Sequence, residues 1–325
     1  MDIDLSVLRL LEREKEIPFD ELVEIIEAAI LAAYFKHVGD HTKGPRAQLD
    51  RKTGHVSIFA PVLDDEGEVV SENEVTPDGF GRVAAYAAKQ VIAQRMREIS
   101  DEGLLGEFKG KEGDIVAGQI QQGSRPYMVY VNLGSVEAIM PPEEQVPGED
   151  YSHGRRIRVY VTSVSKGLRG PMITVSRTHP NLVRKLFALE VPEVASGQVE
   201  IASVAREAGH RTKISVRSKD PSINAKGACI GELGQRVRAV SSELNEEKID
   251  VVDYSEDLAE FVAHALSPAR VSSSFVIDPA QRAVRVLVPD FQLSLAIGKE
   301  GQNARLAAKL TGAKIDIQPD SVLEE

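Results

Sequence analysis

One decapeptide occurs twice in this chain in closely similar form, and no other feature restricts the fold as strongly. Residues 228–237 read ACIGELGQRV, and residues 295–304, 67 positions later, read LAIGKEGQNA. Both copies contain Ile-Gly-x-x-Gly-Gln, and each runs into a helical pattern and then a short strand. A repeat of this size indicates a duplicated structural module.

The segments around the two loops predict the same order of elements. In the first copy, residues 181–254, the predicted elements other than the loop and its helix are a helix at 181–189 and strands at 199–205, 213–217 and 249–253. In the second copy, residues 255–325, they are a helix at 258–266 and strands at 274–277, 284–288 and 314–317. The order α-β-β-α-α-β is that of a type II KH domain. Because almost no linker separates the copies, we expect them to move as one unit.

The Gly-x-x-Gly pattern alone is a weak signal because it occurs five times, at 103–106, 110–113, 167–170, 231–234 and 298–301. Only the last two loops follow an apolar helical turn and precede a helix, so we predict that the other three are turns. Glycine lacks a Cβ atom and lets a nucleic-acid backbone come close, and the amide groups that open a helix favour phosphate. Bases then lie along an apolar groove that includes Ile230 and Ile297.

The two loops differ in charge. Lys299 suits a phosphate contact, whereas Glu232 and Glu300 repel phosphate. The first loop has no cation of its own, so it either relies on Lys226, Arg236 and Arg238 or belongs to a structural copy that contacts RNA weakly. The predicted RNA-binding residues of the copies are Lys226, Ile230, Gly231, Gly234, Gln235, Arg236, Ile297, Gly298, Lys299, Gly301, Gln302, Asn303 and Arg305.

Residues 108–180 have a different texture, with short strands separated by turns. Five strands are predicted, at 114–121, 127–133, 135–140, 156–164 and 172–175. This number of short strands favours an S1-type (OB-fold) barrel. Tyr127 and Tyr130 are placed in one strand on opposite faces, so that one can stack on a base. The predicted basic rim consists of Arg125, Lys166, Arg169 and residues 155–158; the alternative is an ordinary solvated basic face.

Residues 1–107 predict a small α+β unit. Two helices separated at Pro18, strands at 46–50 and 55–60, and a long helix at 82–99 are expected, followed by a glycine-punctuated connector at 103–113. The unit holds 12 basic and 22 acidic residues, so nearly all of the net charge of −11 lies here. We therefore expect this head to contact protein rather than RNA, unless its charge only confers solubility.

Several other classes of protein receive no support. The chain has no run of apolar residues long enough to span a membrane, no signal peptide, and a single cysteine, Cys229, so a cytoplasmic location is expected. His37 and His41 have zinc-like spacing, but Gly39 lies between them and no third ligand is evident. Neither a Walker loop nor a nucleophile elbow is present, and no enzyme, metal or cofactor is expected.

The head, barrel and two fused KH modules together resemble the bacterial NusA family of transcription factors. The stretches that carry the resemblance are VSRT at 175–178, EVPEV at 190–194, GACIG at 227–231, EKID at 247–250 and LAIGKEGQNARLA at 295–307. It implies that the head binds RNA polymerase and that nascent single-stranded RNA follows the S1-KH-KH surface. It also implies that the protein modulates pausing, intrinsic termination and antitermination, with other antitermination factors as further partners. We expect a monomer.

The chain departs from that family in three places. Many relatives have Ile-Asp-Pro-Val-Gly-Ala-Cys where residues 223–229 read INAKGAC. Many also have a basic residue inside the first loop, where this chain has Glu232 and Leu233. The chain ends soon after the second copy, so acidic C-terminal repeats and any autoinhibition by them are not expected.

Two other functions remain open from the sequence. One is a non-catalytic RNA-binding accessory of RNA processing, since a phosphorolytic exoribonuclease also carries S1 and KH modules. That family places KH before S1 and has a large catalytic body. The other is ribosome assembly, where type II KH modules also occur.

Overall fold

The computed structural model describes residues 3–15, 17–39, 44–64, 68–167 and 170–323 of a multidomain α+β chain. The chain divides into two compact units, one of which contains the residues up to Leu105 and the other most of the remainder. Within the described ranges, no helix combines the length and the apolar character needed to cross a membrane.

The first unit packs helices against a three-stranded sheet. Its elements are α1 (Leu5–Lys15), α2 (Phe19–Val38), β1 (Arg46–Leu49), β2 (Val56–Leu63), β3 (Val69–Glu74) and the start of α3 (Gly81–Lys109). The strands are antiparallel in the order β1-β2-β3. The core is made of apolar side chains from both layers: Val23, Ile26, Ile30, Leu49, Ile58, Phe80 and Ala84. The predicted α+β head is thus confirmed.

Two elements of the head differ from the sequence prediction. Strand β3 was not predicted, because all six of its side chains are exposed and no apolar alternation marks it. Helix α3 runs on to Lys109, so the predicted connector is wrong over its first seven residues. Gly103 and Gly106 lie inside this helix. A glycine costs a helix only about 1 kcal/mol relative to alanine, and the leucines between them favour helix.

The predicted barrel is confirmed. Its strands are β4 (Ile115–Gln121), β5 (Val129–Asn132), β6 (Glu137–Met140), β7 (Arg156–Gly167) and β8 (Gly170–Ser176). They close in the order β4-β5-β6-β8-β7, and β7 pairs antiparallel with β4. Val131, Val159, Val161 and Ile173 fill the interior without exposure to solvent.

Both KH modules have the predicted α-β-β-α-α-β order, with one short extra helix in the first. The first contains α4 (Pro180–Glu190), α5 (Pro192–Ala195), β9 (Val199–Glu207), β10 (Arg211–Ser218), α6 (Ala225–Ile230), α7 (Gln235–Glu243) and β11 (Lys248–Asp253). The second contains α8 (Leu258–Ala265), β12 (Ser273–Asp278), β13 (Ala283–Val288), α9 (Leu293–Ile297), α10 (Gln302–Thr311) and β14 (Lys314–Pro319). In each sheet the middle strand pairs antiparallel with one neighbour and parallel with the other.

The two modules share a core. Ala205 and Val252, from the sheet of the first module, pack among the buried residues of the second. Lys213 of β10 is fully buried, and its Nζ donates to Asp250 at 2.9 Å and to the carbonyl of Ser267 in the second module at 2.6 Å. This packing supports the expectation that the copies move together.

A buried arginine of the barrel, Arg177, joins the barrel to the first KH module. The guanidinium of Arg177 pairs with the carboxylate of Glu149, and both side chains are almost completely buried. The same guanidinium donates to the backbone carbonyls of Arg158 at 2.9 Å and Glu243 at 2.8 Å. One side chain thus binds the barrel and the C-terminal end of α7 at once.

Another buried carboxylate fixes the turn between β9 and β10. Glu247 accepts hydrogen bonds from Nε and Nη2 of Arg206, each at 2.9 Å, and from the amide of Gly209 at 2.8 Å. Burial alone would raise the pKa of Glu247. Hydrogen bonds and attraction from Arg206, with hydrogen bonds from Thr212 and Gly209, instead hold that pKa below its usual value of 4.5.

The lowered pKa predicts a loss of stability in acid. Because the carboxyl is more acidic in the folded chain than in the unfolded one, its contribution is complete above about pH 4.5 and is lost as the pH falls through the folded-state value. We expect Glu247→Gln to lower the free energy of unfolding by about 2 kcal/mol at neutral pH. The difference from the wild-type chain should shrink below about pH 4.5. Denaturant titrations across this range measure it, and a difference that does not change with pH would contradict the prediction.

Candidate nucleic-acid interface

The two repeated loops have the same backbone conformation. The first glycine has φ 76° and ψ 173° in one copy (Gly231) and φ 77° and ψ 169° in the other (Gly298), a region that essentially only glycine adopts. A methyl group on Gly298 would lie 2.8 Å from the backbone nitrogen of Asn303. The tight approach of loop and helix therefore requires glycine here.

The second glycine of each loop opens a helix. Gly234 precedes α7 and Gly301 precedes α10, both in the left-handed conformation and neither with a side-chain cap. The first amide groups of both helices therefore have no capping side chain. The amide of the first helical residue donates within its own loop, from Gln235 to the carbonyl of Glu232 and from Gln302 to that of Lys299. The positive end of the helix dipole still favours an anion at each helix start.

The other three Gly-x-x-Gly segments lack this geometry. Residues 103–106 are helical, so the predicted turn there is wrong. Residues 110–113 form the predicted turn ahead of β4. The segment 167–170 lies between β7 and β8, but its two middle residues are outside the described ranges.

The second loop presents an open cationic and apolar surface. Lys299 is exposed, and its ammonium group has no ion-pair partner within the described chain. Ile297 and Leu295, on the short helix before the loop, are 39% and 44% exposed. A methyl group placed on Gly301 would meet no atom within 4 Å. The sequence prediction did not include Leu295 or the nearby Phe291, which is 81% exposed; their apolar character next to the loop was the available signal.

The remaining predicted residues of the second copy lie on α10, two of them at the surface and one buried. Gln302 and Arg305 lie at the surface and bond to Glu207 of the first module. Asn303 is buried, and its Nδ2 donates to the carbonyls of Ala296 at 2.9 Å and Leu266 at 3.0 Å. The predicted RNA contact of the Asn303 side chain therefore gives way to a structural role, because this side chain does not reach the surface.

The first loop is more closed. Nη1 of Arg236 donates to the carbonyl of Ala228 at 2.8 Å and to Glu193 at 2.9 Å, so this guanidinium braces the loop rather than facing solvent alone. Lys226 lies 3.6 Å from Asp253. Leu233, at the tip, is 87% exposed, and Gln235 and Arg238 are also exposed. Ile230 is only partly exposed and packs against the core.

In the barrel, the aromatic prediction is partly corrected. Tyr127 lies in the turn before β5 rather than in the strand, because β5 begins at Val129. Its ring is 59% exposed, whereas Tyr130 is buried. Arg125 is exposed in the same turn, and Lys166 is exposed on β7. Arg158 pairs with Glu243 at 2.8 Å, and Arg169 lies outside the described residues.

A cleft of about 500 Å³ separates the second loop from the β9–β10 turn of the first module. Its basic lining residues come from both modules: His210, Lys248, Lys299 and Arg305. Among the described residues, no three His, Cys, Asp or Glu side chains are grouped so that they could hold a metal ion. His41 is not among these residues.

A closed five-stranded barrel followed by two fused type II KH modules defines a class of RNA-binding proteins. Family models match the head and both KH modules: a NusA N-terminal domain at residues 5–63, a NusA-like first KH domain at 177–254 and a NusA-like second KH domain at 258–325. The chain belongs to the NusA family of transcription termination/antitermination proteins.

Similarity to relatives extends along nearly the whole chain. The protein "Transcription termination/antitermination protein NusA" of Mycobacterium bovis is 56% identical over 99% of this chain and 94% of its own length. Proteins of the same name from Bacillus subtilis and Thermus thermophilus are 46% and 37% identical, over 99% and 97% of this chain and 92% and 89% of theirs.

Proposed function

We propose that this chain is a non-catalytic transcription factor that binds RNA polymerase and nascent RNA together. In this proposal it modulates pausing, intrinsic termination and antitermination. The observation that carries the RNA contact is the second loop, where an open glycine, an amide-lined helix start and the free ammonium group of Lys299 adjoin an apolar surface. The relatives named above support the transcriptional role.

The proposed RNA surface is continuous, and the second KH module contributes more of its contacts than the first. The second copy contributes Ile297, Gly298, Lys299, Gly301, Gln302 and Arg305. The first copy contributes Gly231, Gly234, Gln235 and Arg238, and Arg236 and Lys226 support its loop from ion pairs. Tyr127 and Arg125 of the barrel extend the same path. Single-stranded RNA suits such a surface because its bases are free to lie on exposed apolar and aromatic groups.

The proposed polymerase contact lies in the head, residues 1–107. This unit has its own sheet and core. Its charge of −10, from 12 basic and 22 acidic residues, disfavours RNA and favours a basic protein surface. The three remaining proposed domains are the barrel at 108–180 and the KH modules at 181–254 and 255–325.

Because the head is proposed to bind polymerase and the other domains to bind RNA, we expect the head alone to bind RNA polymerase. Tagged residues 1–105 should retain purified RNA polymerase on an affinity resin in the absence of RNA. Residues 108–325 with the same tag are the matched control and should retain little polymerase once RNA has been digested. Retention by the control fragment but not by the head would contradict the assignment and favour an RNA-processing or ribosomal role.

A further inference from the structure

Glu207, at the end of β9 in the first module, bonds to the helix that follows the second loop. Its Oε2 accepts from Nε2 of Gln302 at 2.9 Å, and its Oε1 accepts from Nε of Arg305 at 2.7 Å. The hydrogen bond from Arg305 is the main cause that lowers the pKa of Glu207. The carboxylate is therefore ionised at neutral pH and forms a charge-assisted bridge between the modules.

The bridge continues into the loop itself. Nη1 of Arg305 donates to the backbone carbonyl of Glu300 at 3.2 Å. Glu300 has φ 54°, a left-handed conformation that costs free energy for a residue with a side chain. Surrounding contacts have to hold such a residue in place, and the Glu207–Arg305 pair supplies one of them.

The first loop provides an internal comparison. Gln235 and Arg238 occupy the positions of Gln302 and Arg305, and the backbone is the same. No acidic side chain pairs with Arg238 in the described part of the chain. Its Nη1 lies 3.1 Å from the place where a methyl group on Gly234 would sit, whereas the corresponding space at Gly301 is empty to 4 Å. An arginine without an acidic partner thus covers its loop, and the partnered one leaves its loop open.

We infer that Glu207 is a positioning residue for RNA binding by the second loop. Its carboxylate holds the Arg305 guanidinium away from Gly301. Arg305 in turn donates to the carbonyl of Glu300, whose backbone is strained, and Gly301 stays open to an RNA phosphate. The first module thereby contributes to RNA binding by the second loop, even though its own loop contains no basic residue. The turn that bears Glu207 is itself fixed by the buried carboxylate of Glu247 through the amide of Gly209. This inference rests on the proposed RNA contact.

Positioning and simple electrostatics predict opposite signs. Glu207 is an anion on the cleft that the second loop lines, so charge alone predicts that its removal strengthens RNA binding. Positioning predicts weaker binding, because Arg305 is then free to cover Gly301 as Arg238 covers Gly234. The sign of the change therefore separates a positioning residue from a mere surface charge.

The test uses the full chain and a fluorescently labelled, unstructured single-stranded RNA of about 20 nucleotides, with affinity measured by fluorescence anisotropy. We expect Glu207→Ala to weaken binding about fivefold, and Glu207→Gln, which keeps one acceptor, to weaken it less. Glu246→Gln is the matched control. It removes the same charge from the same cleft, and the Glu246 side chain makes no hydrogen bond to the loop. Its affinity should be unchanged or slightly higher.

Amide hydrogen exchange supplies a second readout. In Glu207→Ala the amides of 300–303 should exchange faster, while the denaturation midpoint of the chain and exchange in the first loop stay as in the wild type. Equal or tighter RNA binding by Glu207→Ala, matching Glu246→Gln, would overturn the inference while leaving the proposed RNA contact intact. If the wild-type chain itself does not bind the RNA, both the inference and the proposed function fall.

Discussion

Replacing Lys299 with Asp and Glu300 with Asp should weaken the binding of single-stranded RNA by about 30-fold at moderate salt, which corresponds to about 2 kcal/mol. The double substitution turns the only cation of the second loop into an anion and leaves the other acidic position acidic. It removes the proposed charge-assisted contact to phosphate and adds repulsion. The salt dependence of binding should also become shallower.

A matched control separates the loop from net charge. Lys314→Asp makes the same change in charge within the same module. Lys314 is the first residue of β14 and pairs with the start of β13, where its ammonium group donates to Gln281. The second loop lies beyond the opposite end of β13. We expect less than a twofold change for this control. Equal weakening by both variants would mean that the second loop has no special role.

Replacing Arg177 with Met should destabilise the unit of barrel and KH modules by about 3–5 kcal/mol. The substitution leaves the carboxylate of Glu149 buried without its cation, and it removes the donors to the carbonyls of Arg158 and Glu243. A buried charge that loses its partner costs far more than an exposed one. The predicted result is a lower midpoint in guanidinium titration, measured with the full chain.

Lys185→Met is the appropriate control for Arg177→Met. Lys185 on α4 pairs with Asp114 of the barrel at 3.3 Å across the same junction, but both side chains are substantially exposed. Its removal should cost less than about 1 kcal/mol. If the two variants lose equal stability, the buried network of Arg177 does not hold the barrel to the first KH module.

The repeat predicted the order of elements well because it combined local signals that agree. Apolar periodicity, a glycine loop and a following helix occurred together in both copies, and each module folds around these local elements. The barrel strands were predicted because short strand-like segments are separated there by glycine and proline turn signals. Strand β3 was missed because its side chains are all exposed and its pairing with β2 is the only reason it is a strand.

The assignment of individual site residues was harder because it depends on contacts that are distant in sequence. Asn303 and Arg305 are two positions apart and both polar, yet one is buried under α9 and the other faces the cleft. Arg236 was predicted to meet phosphate but braces Ala228 and Glu193. Glu207 had no local signal at all, since its partners are 95 and 98 residues away.

The most direct test of RNA binding by the second loop is to map where RNA lies on the full chain. A single-stranded RNA that carries 4-thiouridine would be photo-crosslinked to the wild-type protein, and the modified peptides identified by mass spectrometry. Peptides containing residues 295–305 should carry the largest share of crosslinks, with fewer at 230–238 and at Tyr127. Crosslinks concentrated in the acidic head, or at the first loop with none at the second, would contradict this prediction.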